Sequence, residues 1–287
     1  MGFFQGSDNL KYKTILVTGA AAGIGRQLAE DLYQKEHCHL LLTDKNLVGL
    51  KALKAKLQKG KQPTIQIFKT DVSNPTSILL LKAKLKNQAI HILINNAGFF
   101  YSGSFQNMNI LDFEKLIDTD LMGTVRLTKA LLPNLFKSTQ ATIVNMSSLA
   151  GLIGAPGMCA YSTAKFGLMG FSQSLRSELK GRVHICSICP SFVKTDLVKN
   201  TTFAKTHNKK TINKTRNHMD DFLKNNGCTV AHAAQKIIIA IKNKKETVLI
   251  NPESHVLYHL HKYFPAFSEA LISKIYNQLL RKGIIAA

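Results

Sequence analysis

The apolar run Lys13-Thr-Ile-Leu-Val-Thr18 ends in Gly19-Ala-Ala-Ala-Gly23-Ile-Gly25 and passes straight into an amphipathic stretch over residues 23–36. A short buried strand, a tight turn and a helix thus follow one another without a linker. Glycines let the chain turn sharply and let a phosphate approach the backbone. The free N–H groups and dipole of the following helix then favour an anion. No other stretch constrains the fold as much, because a strand feeding a helix in this way returns as a second strand parallel to the first.

The alternation continues along the chain. Strands are expected at 39–43, 64–68, 90–94, 141–145, 183–188 and 246–250. Helices are expected at 47–59, from Pro75 with Asn74 or Ser73 as cap, at 111–137, from the Tyr161 region to Leu179, and at 229–242. Gly123 and Pro133 fall inside the long helix, where the proline is expected to bend its end. The expected class is α/β: a single Rossmann-type, doubly wound parallel sheet of about seven strands with helices on both faces. Residues 1–287 form one dinucleotide-binding domain in this reading. Residues 196–228 are polar and lysine-rich, a connection long enough to act as a lid. Residues 253–287 form a C-terminal helical extension, with an apolar stripe after Pro265 (Phe267, Leu271, Ile272, Ile275, Tyr276, Leu279, Leu280) and Lys274, Arg281 and Lys282 among or beyond it. Such a stripe packs on its own domain, on another subunit or on a membrane surface; the first two are favoured.

The formal charge is +21, and residues 45–69 hold lysines but no acid. Basic surfaces attract nucleic acid, anionic lipid or acidic substrates. No aromatic-interleaved basic motif accompanies the charge, so solvated faces explain it and no nucleic-acid partner is expected. The five cysteines, Cys38, Cys159, Cys186, Cys189 and Cys228, follow no apolar leader, which reads as reduced thiols and a cytoplasmic location. Cys186-Ser-Ile-Cys189 has redox-motif spacing but ends a strand, so a structural role is expected. Met1-Gly2 lacks the Ser or Thr of a myristoylation signal at its sixth residue. No run reaches the roughly 18 apolar residues of a membrane span. No metal-ligating set is assigned.

Asp44 ends the second strand about twenty residues after the glycines, where a carboxylate accepts hydrogen bonds from both adenosine ribose hydroxyls and repels a 2′-phosphate. The residue before Gly23 is Ala22, not a base. NAD is therefore favoured over NADP; Lys45 is the argument for NADP, and a helix cap is the structural alternative for Asp44. Further on, Tyr161 and Lys165 stand four apart on a predicted helix and so share a face. Ser148 lies upstream, just past a strand-like run. An ammonium beside a phenol lowers the phenol's pKa, and a serine hydroxyl can hold a carbonyl oxygen next to it. Alone, the triplet also describes an ordinary helix; the dinucleotide unit upstream gives it a hydride partner.

With these residues in place, the chain resembles the classical short-chain dehydrogenase/reductase family from about residue 13 to 250. The likeness rests on Thr18-Gly-Ala-Ala-Ala-Gly-Ile-Gly25, Asp71-Val72, Asn95-Asn-Ala-Gly98, Ser148, Tyr161-x-x-x-Lys165 and Pro190-Ser-Phe-Val-Lys-Thr195, in that order. It implies that Tyr161 is the general acid in ketone reduction and the base in alcohol oxidation. Lys165 would depress the Tyr161 pKa and bind the nicotinamide ribose, and Ser148 would fix the substrate oxygen. Gly19, Ala22, Gly23, Ile24 and Gly25 would cradle the pyrophosphate. Asp71, helped by the Val72 backbone, would meet the adenine amino group. Asn95, Ala97 and Gly98 would line the cofactor, and Pro190, Val193 and Thr195 would embrace the nicotinamide. For Asn95 a buried amide tying strands together is an equal alternative.

The sequence departs from the family twice. Asp120 stands where an asparagine is usual, in Asp120-Leu-Met-Gly123; it is assigned to the catalytic group, and pairing with Lys165 would weaken that lysine's pull on Tyr161 and alter the pH optimum. Ser191 stands where glycine often follows the proline. The apolar residues Phe99, Phe100, Tyr101, Leu149, Leu152, Ile153, Met158 and Phe192 flank the site in sequence and suit a hydrophobic alcohol or carbonyl of retinoid, steroid or long-chain type. For Leu149 and Ile153 core packing is the better reading. A 3-oxoacyl-thioester reductase and a catalytically impaired dinucleotide-binding regulator are the alternatives. The resemblance also implies a homodimer or homotetramer through the long helix and the Tyr161 helix.

Overall fold

The computed structural model describes residues 9–60, 62–195, 202–203 and 209–281. The expectations that fall on Met1–Gly2, on 196–201 and 204–208 within the lid, and on Lys282 lie outside the described residues. Strands and helices alternate as β1 (Thr14–Thr18), α1 (Gly23–Gln34), β2 (His39–Asp44), α2 (Leu47–Leu57), β3 (Ile65–Lys69), α3 (Pro75–Leu85) and β4 (Ile92–Asn95). A short β5 (Tyr101–Ser102) precedes α4 (Ile110–Ile117), a π-helical turn (Asp118–Met122) and α5 (Gly123–Leu135). Then come β6 (Ala141–Met146), α6 (Cys159–Glu178), β7 (Val183–Cys189), β8 (Val193–Lys194), β9 (Thr202–Phe203), α7 (Lys209–Asn226), β10 (Cys228–Thr229), α8 (Val230–Lys242) and β11 (Thr247–Leu249). Two helices close the chain, α9 (Pro252–Tyr263) and α10 (Pro265–Arg281).

The main sheet has seven strands in the order β11-β7-β6-β4-β1-β2-β3, all parallel. Alternation along the strands divides their side chains between two cores. Ile15, Val17, Leu40 and Leu42 face Leu28 and Leu32 of α1, Leu50 and Leu53 of α2, and Ile237 and Ile241 of α8. Leu16, Leu41, Leu93 and Ile143 face Leu81 of α3, Leu127 and Leu131 of α5, and Leu175 of α6. Both faces are covered, as parallel strands of this apolar density require. The strand order reverses between β1 and β4, which opens a crevice at the C-terminal ends of those strands.

Local chemistry accounts for most element ends. Asn46 and Asn74 accept from Gly49 N and Ser77 N to cap α2 and α3, and Thr229 caps α8. The structure corrects the expected uninterrupted helix over 111–137. It begins at Ile110, widens into the π-turn at Asp118–Met122, and contains Pro133 before ending at Leu135. The lid also differs from a loop, since residues 209–226 form α7. Among the described residues no helix is long and apolar enough to cross a membrane. All five cysteines are free, and burial pushes the thiols of Cys186 and Cys189 up to about 12.

Candidate active site

The turn after β1 is built for a phosphate. Gly19 has φ of 66°, a left-handed conformation that favours glycine. A side chain at Gly25 would collide with the Gly19 carbonyl oxygen. Unlike α2, α3 and α8, α1 has no side-chain cap and no acid in its first turn. Its N-terminal N–H groups and dipole are therefore left for an anion. Thr195 comes to the same place, with its side chain 3.8 Å from where a Cβ on Gly23 would lie. The cradle fits a dinucleotide pyrophosphate.

Two residues that hold this turn were not singled out in the sequence. Thr18 Oγ1 accepts from Asn96 N and Ala97 N, both at 2.9 Å, and donates toward Ile94 O. Asn96 Nδ2 donates to Thr18 O at 2.9 Å. The ends of β1 and β4 are thereby stitched together beneath the crevice. The signal was present in the doubled asparagine: strand alternation sends successive side chains to opposite sides. Asn95 points into the sheet, where its Nδ2 donates to Asn145 Oδ1 and Thr128 Oγ1. Its side chain serves as a buried strand tie.

Asp44 sits at the end of β2 with Oδ2 accepting from Ala21 N at 3.0 Å and Oδ1 from Asn46 N at 2.8 Å. Each oxygen thus keeps capacity to accept a further hydrogen bond. The cap of α2 is Asn46, so Asp44 is not consumed in that role. The Asp71 carboxylate is partly engaged, accepting from Ser73 N and Oγ. Pro190 O accepts from Leu149 N at 2.8 Å, joining the turn after β7 to the Ser148 segment. Val193 pairs with Cys228 in a second small sheet. Ser191 is anchored: its Oγ donates to Glu253 Oε1 at 2.6 Å and its N–H to Asn251 Oδ1 at 3.2 Å.

Ser148, Tyr161, Lys165 and Asp120 converge. Ser148 Oγ accepts from Ala150 N and donates to Pro190 O, and its hydroxyl lies close enough to Tyr161 to pull the phenol's pKa down. Lys165 Nζ donates to Met146 O at 3.0 Å, lies 3.1 Å from Asp120 Oδ2, and stands 5.4 Å from the Tyr161 ring centre. The other Asp120 oxygen accepts from Phe99 N at 2.9 Å. Burial pushes Asp120 above the usual carboxylate range, against the pull of Lys165 and of the Phe99 N–H. Burial opposes the charge on Lys165, yet Asp120 and Tyr161 hold its pKa above the ordinary lysine value. The lysine starts far more basic than the acid, so the proton stays on the ammonium and the two form an ion pair. Burial raises Tyr161 above the ordinary tyrosine value; Lys165 pulls it down as expected, and Asp120 pushes it up.

The apolar flank divides in two. Tyr101 is buried with Leu116, Ala160 and Ala164, and Phe99 packs on that cluster. Both support the site from below. Phe100 meets the Tyr161 ring edge-on at 5.1 Å and packs with Ile212, Met219 and Leu223 of α7. Phe192 meets Phe222 of the same helix at 5.2 Å. The lid helix therefore packs apolar side chains on Phe100, which meets Tyr161, and Ile153 lies in the core as anticipated.

A parallel-sheet crevice with an uncapped helix on one side and a converging serine–tyrosine–lysine set on the other defines a dinucleotide-dependent oxidoreductase. The short chain dehydrogenase family model matches residues 13–206, and the chain belongs to that family, whose members use a nicotinamide dinucleotide. It is 36% identical over 197 residues to SadH of Mycobacterium tuberculosis, covering 67% of this chain and 71% of that protein. Human estradiol 17-beta-dehydrogenase 11 is 34% identical over 192 residues, 65% of this chain and 63% of that one. Among solved structures, a short chain dehydrogenase/reductase from Burkholderia phymatum in complex with NAD has a TM-score of 0.80 at 22% identity, covering 91% of this chain and 96% of that one. One from Sphingobium yanoikuyae in complex with NADPH has a TM-score of 0.72 at 25% identity, with 91% and 95% covered.

Proposed function

We propose that this single-domain enzyme interconverts a hydrophobic ketone or aldehyde and its alcohol, with Tyr161 exchanging the proton and NAD as the preferred dinucleotide. The observation that carries the reading is the Tyr161 ring, with Lys165 Nζ 5.4 Å from its centre and Phe100 edge-on at 5.1 Å beneath α7. When bound, the nicotinamide supplies or accepts the hydride. In reduction the carbonyl carbon gains that hydride, the C=O π bond breaks, and the oxygen takes the Tyr161 proton, which solvent replaces. Ser148 holds the substrate oxygen beside the phenol. Lys165 stabilises the phenolate left behind, and α7 excludes water. Gly19, Ala22, Gly23, Ile24 and Gly25 hold the pyrophosphate. Asp71, the Val72 backbone, Ala97 and Gly98 hold the adenosine half, and Pro190, Val193 and Thr195 the nicotinamide half. Asp44 accepts from the ribose hydroxyls and repels a 2′-phosphate. The estradiol and hydroxysteroid dehydrogenases among the relatives support a lipophilic substrate. Exposed Phe136 at the end of α5 and Phe166 on α6 support a homodimer or homotetramer.

A cavity of about 460 Å³ beside Gly23, lined by Arg26, Lys56, Lys194 and Lys224 against Glu30 and Asp220, favours one second reading. Its net positive lining suits the phosphate of a 3-oxoacyl thioester carrier. Following dinucleotide absorbance across steroid, retinoid, long-chain and 3-oxoacyl substrates with both cofactors separates the two. Tyr161→Phe should lower kcat about 10²–10⁴-fold and leave dinucleotide binding intact. Tight binding with no turnover on any class would instead favour a regulatory role.

A further inference from the structure

We propose that Asp120 is a positioning residue that holds Lys165 by charge and so biases Tyr161 toward its proton-donating form, poising this enzyme for carbonyl reduction at neutral pH. The inference rests on the proposed proton exchange at Tyr161 and adds its direction.

The geometry is built around the carboxylate. Asp120 lies on the π-turn, where the widened helix carries its side chain inward, and π-turns within α-helices recur at functional sites. The side chains of Asp120 and Lys165 are only 1% and 7% exposed, so solvent screens their charges weakly. Phe99 N occupies Oδ1, and Oδ2 receives no other donor among the described residues, leaving it to the ammonium. A Cβ on Gly98 would stand 2.7 Å from Oδ2, so the absence of a side chain there makes the room.

Charge counting gives the direction. With an amide at 120, the phenolate and the buried ammonium would sum to zero. With Asp120 present, neutral Tyr161 gives the balanced state and the phenolate leaves one net negative charge in a desolvated site. The groups facing Tyr161 are Lys165, Asp120, Ser148 and Cys189. The Cys189 thiol is pushed up to about 12 and stays neutral. Tyr161 therefore keeps its proton to higher pH, as reduction requires and oxidation does not.

The test is the pH dependence of kcat/KM in both directions for the parent, Asp120→Asn and Asp120→Ser. Reduction should fall, and oxidation rise, through one shared inflection. That inflection should drop by about one pH unit in both variants, raising oxidation near pH 7 about 10-fold. An unmoved or higher inflection in a folded variant overturns the proposal. Ultraviolet titration of tyrosinate, taken as the difference from Tyr161→Phe, reads the same ionisation without turnover and so separates this inference from the assigned reaction. In the parent protein that step should lie above that of an ordinary exposed tyrosine; a lower one overturns the proposal whether or not the variants fold.

Discussion

Thr18 shows how much of the crevice depends on a single oxygen. Its Oγ1 receives two backbone amides from the far side of the switch point while the residue itself is 1% exposed. Valine has the same shape and no acceptor, so Thr18→Val leaves two N–H groups without their partner. The expected cost is about 1–3 kcal/mol of stability, with weaker dinucleotide binding because the Asn96–Ala97 turn is no longer tied to β1. Thr18→Ser should restore most of both, as read by thermal unfolding and cofactor titration. Asp44 is expected to act on selectivity instead. Asp44→Ser would take away the proposed repulsion of a 2′-phosphate and one acceptor for the ribose. The ratio of kcat/KM with NADP to that with NAD should rise at least about 10-fold, and an unchanged ratio would assign cofactor choice elsewhere.

At the scale of elements, the strands of the main sheet were legible because each is a short apolar run bounded by turn residues. Their helices were legible wherever a cap or an apolar stripe marked them, as with Asn74 and Pro75. Three features were not. The π-turn depends on contacts made only after folding, between Asp120, Lys165 and the bare backbone of Gly98, and no local propensity announces it. The tie between Ser191 and Glu253 joins residues far apart in sequence. Helix α7 was obscured by lysines, although Ile212, Met219 and Leu223 are spaced for one helical face. Those three pack on Phe100, which touches Tyr161, so this helix should govern substrate affinity more than cofactor affinity. Placing aspartates at Ile212 and Met219 would put charge against Phe100 and lift α7. KM for a lipophilic substrate should rise about 10-fold, equivalent to about 1.4 kcal/mol of lost apolar contact, and the dinucleotide Kd should stay within about twofold. A parallel loss of cofactor affinity would show that α7 belongs to the dinucleotide side.

Across the whole molecule, both halves of the reaction meet at one edge of one sheet. The order β3-β2-β1-β4 carries the dinucleotide cradle, and β6 and β7 carry Ser148 and the Pro190 turn. The C-terminal hairpin is fastened to that edge at two points. Ser191 binds Glu253 at the start of α9, and the Tyr276 ring of α10 lies against Gly157, whose missing Cβ would stand 2.9 Å from it. Burial also raises the Tyr276 pKa above the ordinary tyrosine value, so the ring is neutral and behaves as an apolar cover. Gly157 belongs to the segment between Ser148 and Tyr161, so Tyr276 packs against the stretch that leads into the candidate catalytic residues. A ring at that place is expected to meet the distal end of a substrate rather than its reacting carbon. Tyr276→Ala should therefore leave small carbonyl compounds nearly unaffected while changing kcat/KM progressively for longer apolar ones, by about 10–100-fold at the extreme. Tyr276→Phe keeps the ring and should match the parent. A homologous series of ketones of increasing length, measured for the three proteins, distinguishes the outcomes. A loss of equal size at every length would mean that α10 stabilises the fold at this edge without shaping the pocket.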